Sequence, residues 1–253
     1  MDLGLQGLKA IVSGGTRGIG RAIVETLAAE GAHVALCARH AAEVDETVTG
    51  LRTQGVMASG RALDVRNAVA LQAWVTASAS ALGGLDIVIP NVSALAIDSD
   101  EDSWRKEFEV DMMHTVRMIT AALPYLAQST HPAIVTIASV SGREIDFAAG
   151  PYGTFKAALI HYTQGLAYQL ASKGIRANSV SPGNTYFPGG VWHQIEHGNP
   201  QLFKDALALN PTGRMGTPQE MANAAVFLAS PAASFVTGTN LVVDGALTRG
   251  VQL

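Results

Sequence analysis

Tyr152 and Lys156 stand four residues apart, a spacing that puts both side chains on one face of a helix. A free phenol titrates near about 10 and carries protons poorly at neutral pH, but an adjacent ammonium stabilises its phenolate. Ser139 lies 13 residues before Tyr152, at the end of an apolar run. Its hydroxyl there can hydrogen-bond a substrate oxygen and hold it against the phenol. A tyrosine one turn before a lysine also arises as a simple packed helix pair, so the rest of the chain has to supply the context. Near the N-terminus, Ser13-Gly14-Gly15-Thr16-Arg17-Gly18-Ile19-Gly20 joins an apolar run to a helical pattern. Backbone N–H groups at such a turn can face a pyrophosphate, although strand-to-helix turns also use glycine for steric reasons alone. The next apolar run ends in Ala38-Arg39, not in the carboxylate that accepts from a ribose 2′-hydroxyl in NAD sites. Arg39, with Arg17 approaching from the first turn, can pair with a 2′-phosphate, so the expected dinucleotide is NADP(H). The bland alternative is a pair of solvated surface arginines.

Placing these groups together requires a scaffold. Runs rich in Val and Ile at 8–13, 32–37, 85–90 and 133–138 read as strands buried on both faces. Between and after them, 19–30, 41–54, 67–82, 101–127 and 151–172 carry apolar residues three or four apart, the period of helices packed on one side. Strands alternating with helices imply an α/β fold: a doubly wound parallel sheet, Rossmann-like, with helices on both faces and ligands at the carboxyl ends of the strands. The chain has 253 residues, 48% hydrophobic and 15% charged, which suits a single domain spanning 1–253. The stretch 182–217 is dense in Gly, Pro and aromatics and reads as an irregular lid, centred on about 184–215.

The remaining composition narrows the partners. A net charge of −4 with both signs scattered offers no footprint for nucleic acid or an anionic membrane, and a small molecule is the expected partner. Cys37, the only cysteine, excludes an intramolecular disulfide and reads as an inert core thiol. Residues 1–9 lack a basic region followed by a long apolar run, and no apolar stretch of about 18 residues occurs, so a cytoplasmic location is expected. Of the histidines only His193 and His197 share a tight spacing, and they read as surface residues; no metal is expected.

In order and spacing, the glycine turn, Asp64, Ser139, Tyr152, Lys156 and Ser181-Pro182-Gly183 resemble the short-chain dehydrogenase/reductase family, in its single-domain, 3-oxoacyl reductase-like branch, across nearly the whole chain. The resemblance implies an NADP-dependent carbonyl reductase or alcohol dehydrogenase. In it Tyr152 donates the proton in reduction, Lys156 lowers its pKa and holds the nicotinamide ribose, and Ser139 orients the carbonyl. It also implies cofactor contacts from Ser13, where the family has Thr, and from Gly14, Thr16, Arg17, Gly18, Ile19 and Gly20. Asp64 and Val65 are expected at the adenine, with Asn91, Pro182, Gly183 and Thr185 completing the cofactor site. The segment 236–245 resembles the family's last strand, which usually joins a homotetramer interface. Enoyl reductases of similar pattern carry a longer Tyr-to-Lys spacing, and halohydrin-lyase relatives lose the glycine turn and the lysine.

Three positions depart from the pattern. Pro90-Asn91-Val92-Ser93 replaces Asn-Asn-Ala-Gly; Phe187 replaces a carboxamide-binding threonine, for which Thr185 can substitute; and Asp111 replaces the asparagine of the catalytic set. An ionised Asp111 about 7 Å from the Tyr152 and Lys156 pair would interact by about 2 kcal/mol at an effective dielectric near about 20. Strand ends and the lid nominate Ser93, Leu95, Val140, Glu144, Phe147, Tyr186, Phe187 and Trp192 as substrate-pocket residues, although several of these could simply pack the lid. The aromatics among them suit a bulky apolar or cyclic carbonyl compound, with a short 3-oxoacyl thioester as an alternative. Two other readings are a catalytically impaired, cofactor-binding regulatory protein, motivated by Asp111 and Phe187, and an NAD-dependent alcohol dehydrogenase of the same fold.

Overall fold

A computed structural model describes residues 2–250; Met1 and 251–253, the ends of the expected 1–253 domain, lie outside the described residues. Parallel strands form one seven-stranded sheet: β1 (Lys9–Ser13), β2 (His33–Ala38), β3 (Ala58–Ala62), β4 (Ile87–Ile89), β5 (Ala133–Ile137), β6 (Arg176–Pro182) and β7 (Asn240–Val243), in the order β3-β2-β1-β4-β5-β6-β7. The two-residue period of a strand divides its side chains between the faces. Ala10, Val12, Ile87 and Ile89 face one core with α1 (Gly18–Ala29), α2 (Ala41–Arg52) and α9 (Pro218–Ala229). Ile11 and Val88 face the other, with α3 (Ala68–Leu82), α5 (His114–Leu126) and α6 (Pro151–Leu170). Burial on both faces explains why these strands read as continuous apolar runs. The edge strand β3 does not, because only Ala58 of its five residues is buried.

The chain reverses its direction of winding between β1 and β4, which pair in parallel, and the crevice for ligands opens beyond their carboxyl ends. Asn91, just past β4, ties the two ends together. Its backbone N–H donates to Ser13 Oγ at 2.9 Å and its side-chain amide to the Ser13 carbonyl at 3.0 Å.

The structure corrects the expected form of two segments. The helical stretch 101–127 is not one helix. α4 (Glu101–Glu107) passes into a π-helical turn, Phe108–Met113, before α5 begins. The wider turn carries Asp111 into the interior, where it is fully buried, and such turns often occur at functional sites. The lid is irregular only in part, for it holds α7 (Val191–Gly198) and α8 (Pro200–Ala208). Some of its Gly and Pro residues mark helix ends, and the others lie in the turns that flank the two helices. Gly190 precedes α7, Pro200 takes the first turn of α8, and Asn199 both ends α7 and caps α8 by accepting from the Leu202 N–H at 3.2 Å.

Candidate active site

At the first turn, Gly18 has φ +53°, and a Cβ on Gly20 would lie 2.1 Å from the Gly14 carbonyl oxygen; only glycine lets the turn fold back on the helix this closely. Arg17 precedes α1 without a side-chain cap, and the first turn of α1 holds no acidic residue. Its N–H groups therefore suit an anionic phosphate. Arg17 and Arg39 are both exposed at this end of the sheet. Thr16 Oγ1 donates to Glu43 of α2 at 2.9 Å. Asp64 is engaged by Arg66 at 2.6 Å, whose hydrogen bond holds its carboxyl below the ordinary range, while Val65 beside it is buried. Thr185 donates to the Gly183 carbonyl at 3.0 Å, just past β6. Cys37 is fully buried in β2, and desolvation pushes its thiol up to about 12.

The proton-handling groups converge at the ends of β4 and β5. Ser139 follows β5 and its Oγ accepts from the Ser141 N–H at 3.1 Å. Tyr152 and Lys156 occupy the first turns of α6, with Lys156 Nζ 5.5 Å from the centre of the Tyr152 ring. Lys156 is 2% exposed; its Nζ donates to the Ile137 carbonyl at 3.0 Å and lies 2.9 Å from Asp111 Oδ2. Asp111 is thus the direct ionic partner of Lys156, not a charge about 7 Å away from the pair. The π turn brings the carboxylate inward, which the regular period of a helix does not foretell. Burial opposes the charge on Lys156, but Asp111, Tyr152 and Glu107 together outweigh it and raise the lysine's pKa. Burial also raises the Tyr152 phenol. Lys156 and the Ser139 hydroxyl pull it down, while Asp111 and Glu107 push it further up.

Two residues of this site escaped the sequence reading. Glu107 is fully buried four residues before Asp111, and that one-turn spacing was the available signal. His114 is also buried; its Nδ1 lies 3.0 Å from the Val110 carbonyl and its Nε2 2.9 Å from Ser13 Oγ. A carbonyl only accepts, so Nδ1 carries the proton and Nε2 accepts from Ser13. Desolvation lowers His114 to about 4, which keeps the ring neutral.

The nominated pocket residues divide into groups. Ser93 Oγ accepts from the Leu95 N–H at 3.3 Å, and Leu95, half-exposed, stands at φ +52° in the left-handed region. Val140 is buried beside Ser139. Phe147 meets buried Trp192 edge-on, with ring centres 5.7 Å apart, and forms a wall between the β5 loop and the lid. Glu144 instead accepts from the N–H groups of Arg249 and Gly250, both at 3.0 Å, and anchors the C-terminal segment. Tyr186 and Phe187 make contacts of their own. Tyr186 packs into the lid's own core against Phe203 and donates to Glu196. Phe187 lies on the glycine turn, its ring tip 2.5 Å from where a Gly18 Cβ would stand. His193 and His197 pack with ring centres 4.5 Å apart and planes tilted by 42°. Among the described residues no group of three His, Cys, Asp or Glu could hold a metal ion, and no helix is long and apolar enough to cross a membrane.

With this geometry in place, the comparisons with known proteins agree with one another. A family profile described as Enoyl-(Acyl carrier protein) reductase matches residues 14–248. Isoepoxydon dehydrogenase patN of Penicillium expansum is 39% identical, with 100% of this chain and 99% of that protein covered. The 3-oxoacyl-acyl-carrier-protein reductase FabG of Vibrio cholerae is 31% identical, with 97% and 99% covered. A crystal structure of a short-chain dehydrogenase from Burkholderia cenocepacia in complex with NADP superposes with a TM-score of 0.86 at 30% identity, covering 96% of this chain and 98% of that one. The fold and site define a nicotinamide-dependent oxidoreductase. The chain belongs to the short-chain dehydrogenase/reductase family.

Proposed function

We propose that the protein transfers hydride between NADP(H) and a small carbonyl compound or its secondary alcohol, acting on a cyclic substrate and working as a homotetramer. The observation that carries this reading is Lys156, buried between Asp111 and the Ile137 carbonyl beneath the Tyr152 ring. When bound, NADP(H) supplies or accepts the hydride. Gly14, Thr16, Gly18, Ile19 and Gly20 would hold its pyrophosphate at the uncapped end of α1, and Arg17 and Arg39 its 2′-phosphate. Ser13, expected at the cofactor, is instead fully buried with its hydroxyl engaged by Asn91 and His114 and supports the turn from behind. Asn91 acts indirectly, since its amide is committed to the backbone of the turn.

In reduction the Ser139 hydroxyl and the Tyr152 Oη–H both donate to the carbonyl oxygen, and the tyrosine proton moves to it as the alkoxide forms. Lys156 stabilises the phenolate left behind. Oxidation runs the same proton back to Tyr152. The wall of Phe147 and Trp192 excludes water from one side and suits a flat or cyclic apolar body. The relative at 39% identity is by name a dehydrogenase of isoepoxydon, a small molecule. The direct Asp111–Lys156 pair speaks against a catalytically impaired regulator, because the lysine keeps a fixed charged partner despite the change from asparagine.

A panel of cyclic ketones and secondary alcohols, assayed with NADPH, NADH and their oxidised forms, tests the proposal. Turnover of cyclic ketones with NADPH is expected. No turnover with either cofactor would overturn it.

A further inference from the structure

The buried acids beside Lys156 do more than replace the family's asparagine. Asp111 Oδ1 accepts from the Ala94 N–H at 2.8 Å, and Glu107 Oε1 from the Ala96 N–H at 2.6 Å. These bonds grip the loop on either side of Leu95, the half-exposed residue at φ +52°. Each carboxyl keeps one buried oxygen, Glu107 Oε2 and Asp111 Oδ2, with no aligned hydrogen-bond donor from any N–H or O–H group. The Lys156 ammonium sits 2.9 Å from Asp111 Oδ2 as an ion pair, not as an aligned hydrogen bond. The two carboxyls stand one turn apart in the chain, both fully buried, and each shifts the ionisation of the other. The facing titratable groups are Lys156 and Tyr152 from α6 and His114 from α5. The loop contributes only backbone N–H groups. One ammonium and a neutral imidazole balance one negative charge, not two, and like charges one turn apart repel.

We propose that Glu107 is a positioning residue for the reaction: as a neutral carboxylic acid it donates its proton to Asp111 Oδ2, leaves Asp111 the charged partner of Lys156, and holds the 94–96 loop with its other oxygen. The pair carries one proton and one negative charge, and the proton stays on Glu107 throughout turnover. The arrangement ties the floor of the substrate crevice to the lysine that controls Tyr152, so the same two acids set the placement of Leu95 and the electrostatics of the base. The role of the pair in turnover rests on the hydride-transfer reading above. The shared proton does not.

Burial and the neighbouring Asp111 push Glu107 up to about 8, which makes the proton observable. Infrared difference spectra of the full-length protein across a pH titration are expected to show a protonated-carboxyl C=O band that disappears with a midpoint near pH 8. The band should be absent in Glu107→Gln and should titrate at lower pH in Asp111→Asn, where the repelling charge is gone. Absence of the band at neutral pH, or its persistence in Glu107→Gln, would overturn the proposal.

Kinetics provide the second readout. Glu107→Leu, which can neither donate to Asp111 nor accept from Ala96, should lose tenfold or more in kcat/KM, with KM raised as the loop is released. Glu107→Gln, which keeps both hydrogen bonds, should recover most of that loss and abolish any inflection near pH 8 in the kcat profile. Equal defects in the Gln and Leu variants would count against the positioning role. If the infrared band titrates as described but no carbonyl substrate turns over, the hydride-transfer reading fails and the proton-sharing pair stands.

Discussion

Lys156 shows how a single substitution in the family pattern alters the chemistry around it. A buried ammonium without a partner would give up its proton; here the Ile137 carbonyl and Asp111 hold it charged. The cost falls on Tyr152, whose phenolate is disfavoured by burial and by the same carboxylate. The sign follows directly. Removing the negative charge in Asp111→Asn lowers the phenol's pKa, so the basic limb of the kcat profile for alcohol oxidation should move to lower pH. An unchanged profile would remove the electrostatic account. Tyr152→Phe loses only the proton-carrying oxygen and should reduce kcat by at least about 100-fold while the dissociation constant for NADPH, read by fluorescence titration, stays within about twofold. Lys156→Ala should damage both. For the cofactor, charge-assisted bonds from Arg17 and Arg39 should favour NADPH over NADH by about tenfold or more in kcat/KM. Ala38→Asp combined with Arg39→Leu should reverse the order, and equal kcat/KM for the two cofactors in the wild type would dismiss the arginine clamp.

Among the elements, the lid is where sequence and structure diverge most. Its glycines and prolines signal breaks, yet Pro200 stands in the first turn of a helix and Asn199 caps it. Asn199→Ala should therefore weaken the lid by about 1 kcal/mol. The expected readout is a raised KM for substrate with little change in global melting temperature, because the loss is confined to a segment outside the two sheet cores. A melting temperature lowered together with an unaltered KM would show that the cap serves the whole fold. The π turn was illegible for a different reason. Nothing in Phe108 to Met113 breaks the helical pattern, and the extra residue shows itself only in where Asp111 points. Strands β1, β2, β4 and β5 were legible to within about two residues because burial on both faces leaves no polar alternation to confuse them. Exposed β3 left no such trace.

For the whole molecule, two buried groups on opposite sides of neutrality shape stability against pH. Glu107, raised by burial and Asp111 to about 8 from 4.5, holds a proton that the unfolded chain releases. Its contribution is complete below pH 4.5 and is lost as pH rises through 8. His114, lowered by burial to about 4 from 6.5, contributes fully above pH 6.5 and loses its contribution as pH falls toward 4. The two slopes oppose each other between 4.5 and 6.5, so unfolding free energy should be flat there. It should then fall between 6.5 and 8, by at most about 1.4 kcal/mol per pH unit. In Glu107→Gln the fall should vanish and stability should rise with pH between 4 and 6.5. Denaturant melts at a series of pH values check this, and a wild-type curve still rising at pH 7.5 would contradict it. Glycine turn, serine, tyrosine and lysine were readable because each needs a particular residue at a fixed spacing. The Asp111–Lys156 contact and the buried Glu107 were not, because they depend on how one irregular turn packs against α6. The lid also has its own hydrophobic centre, Trp192, Ala206 and Met215 flanked by Tyr186 and Phe203, separate from both sheet cores. Mutational drift can therefore rewrite what the lid admits without loosening the sheet that holds the dinucleotide, so substrate range and scaffold can evolve on independent clocks.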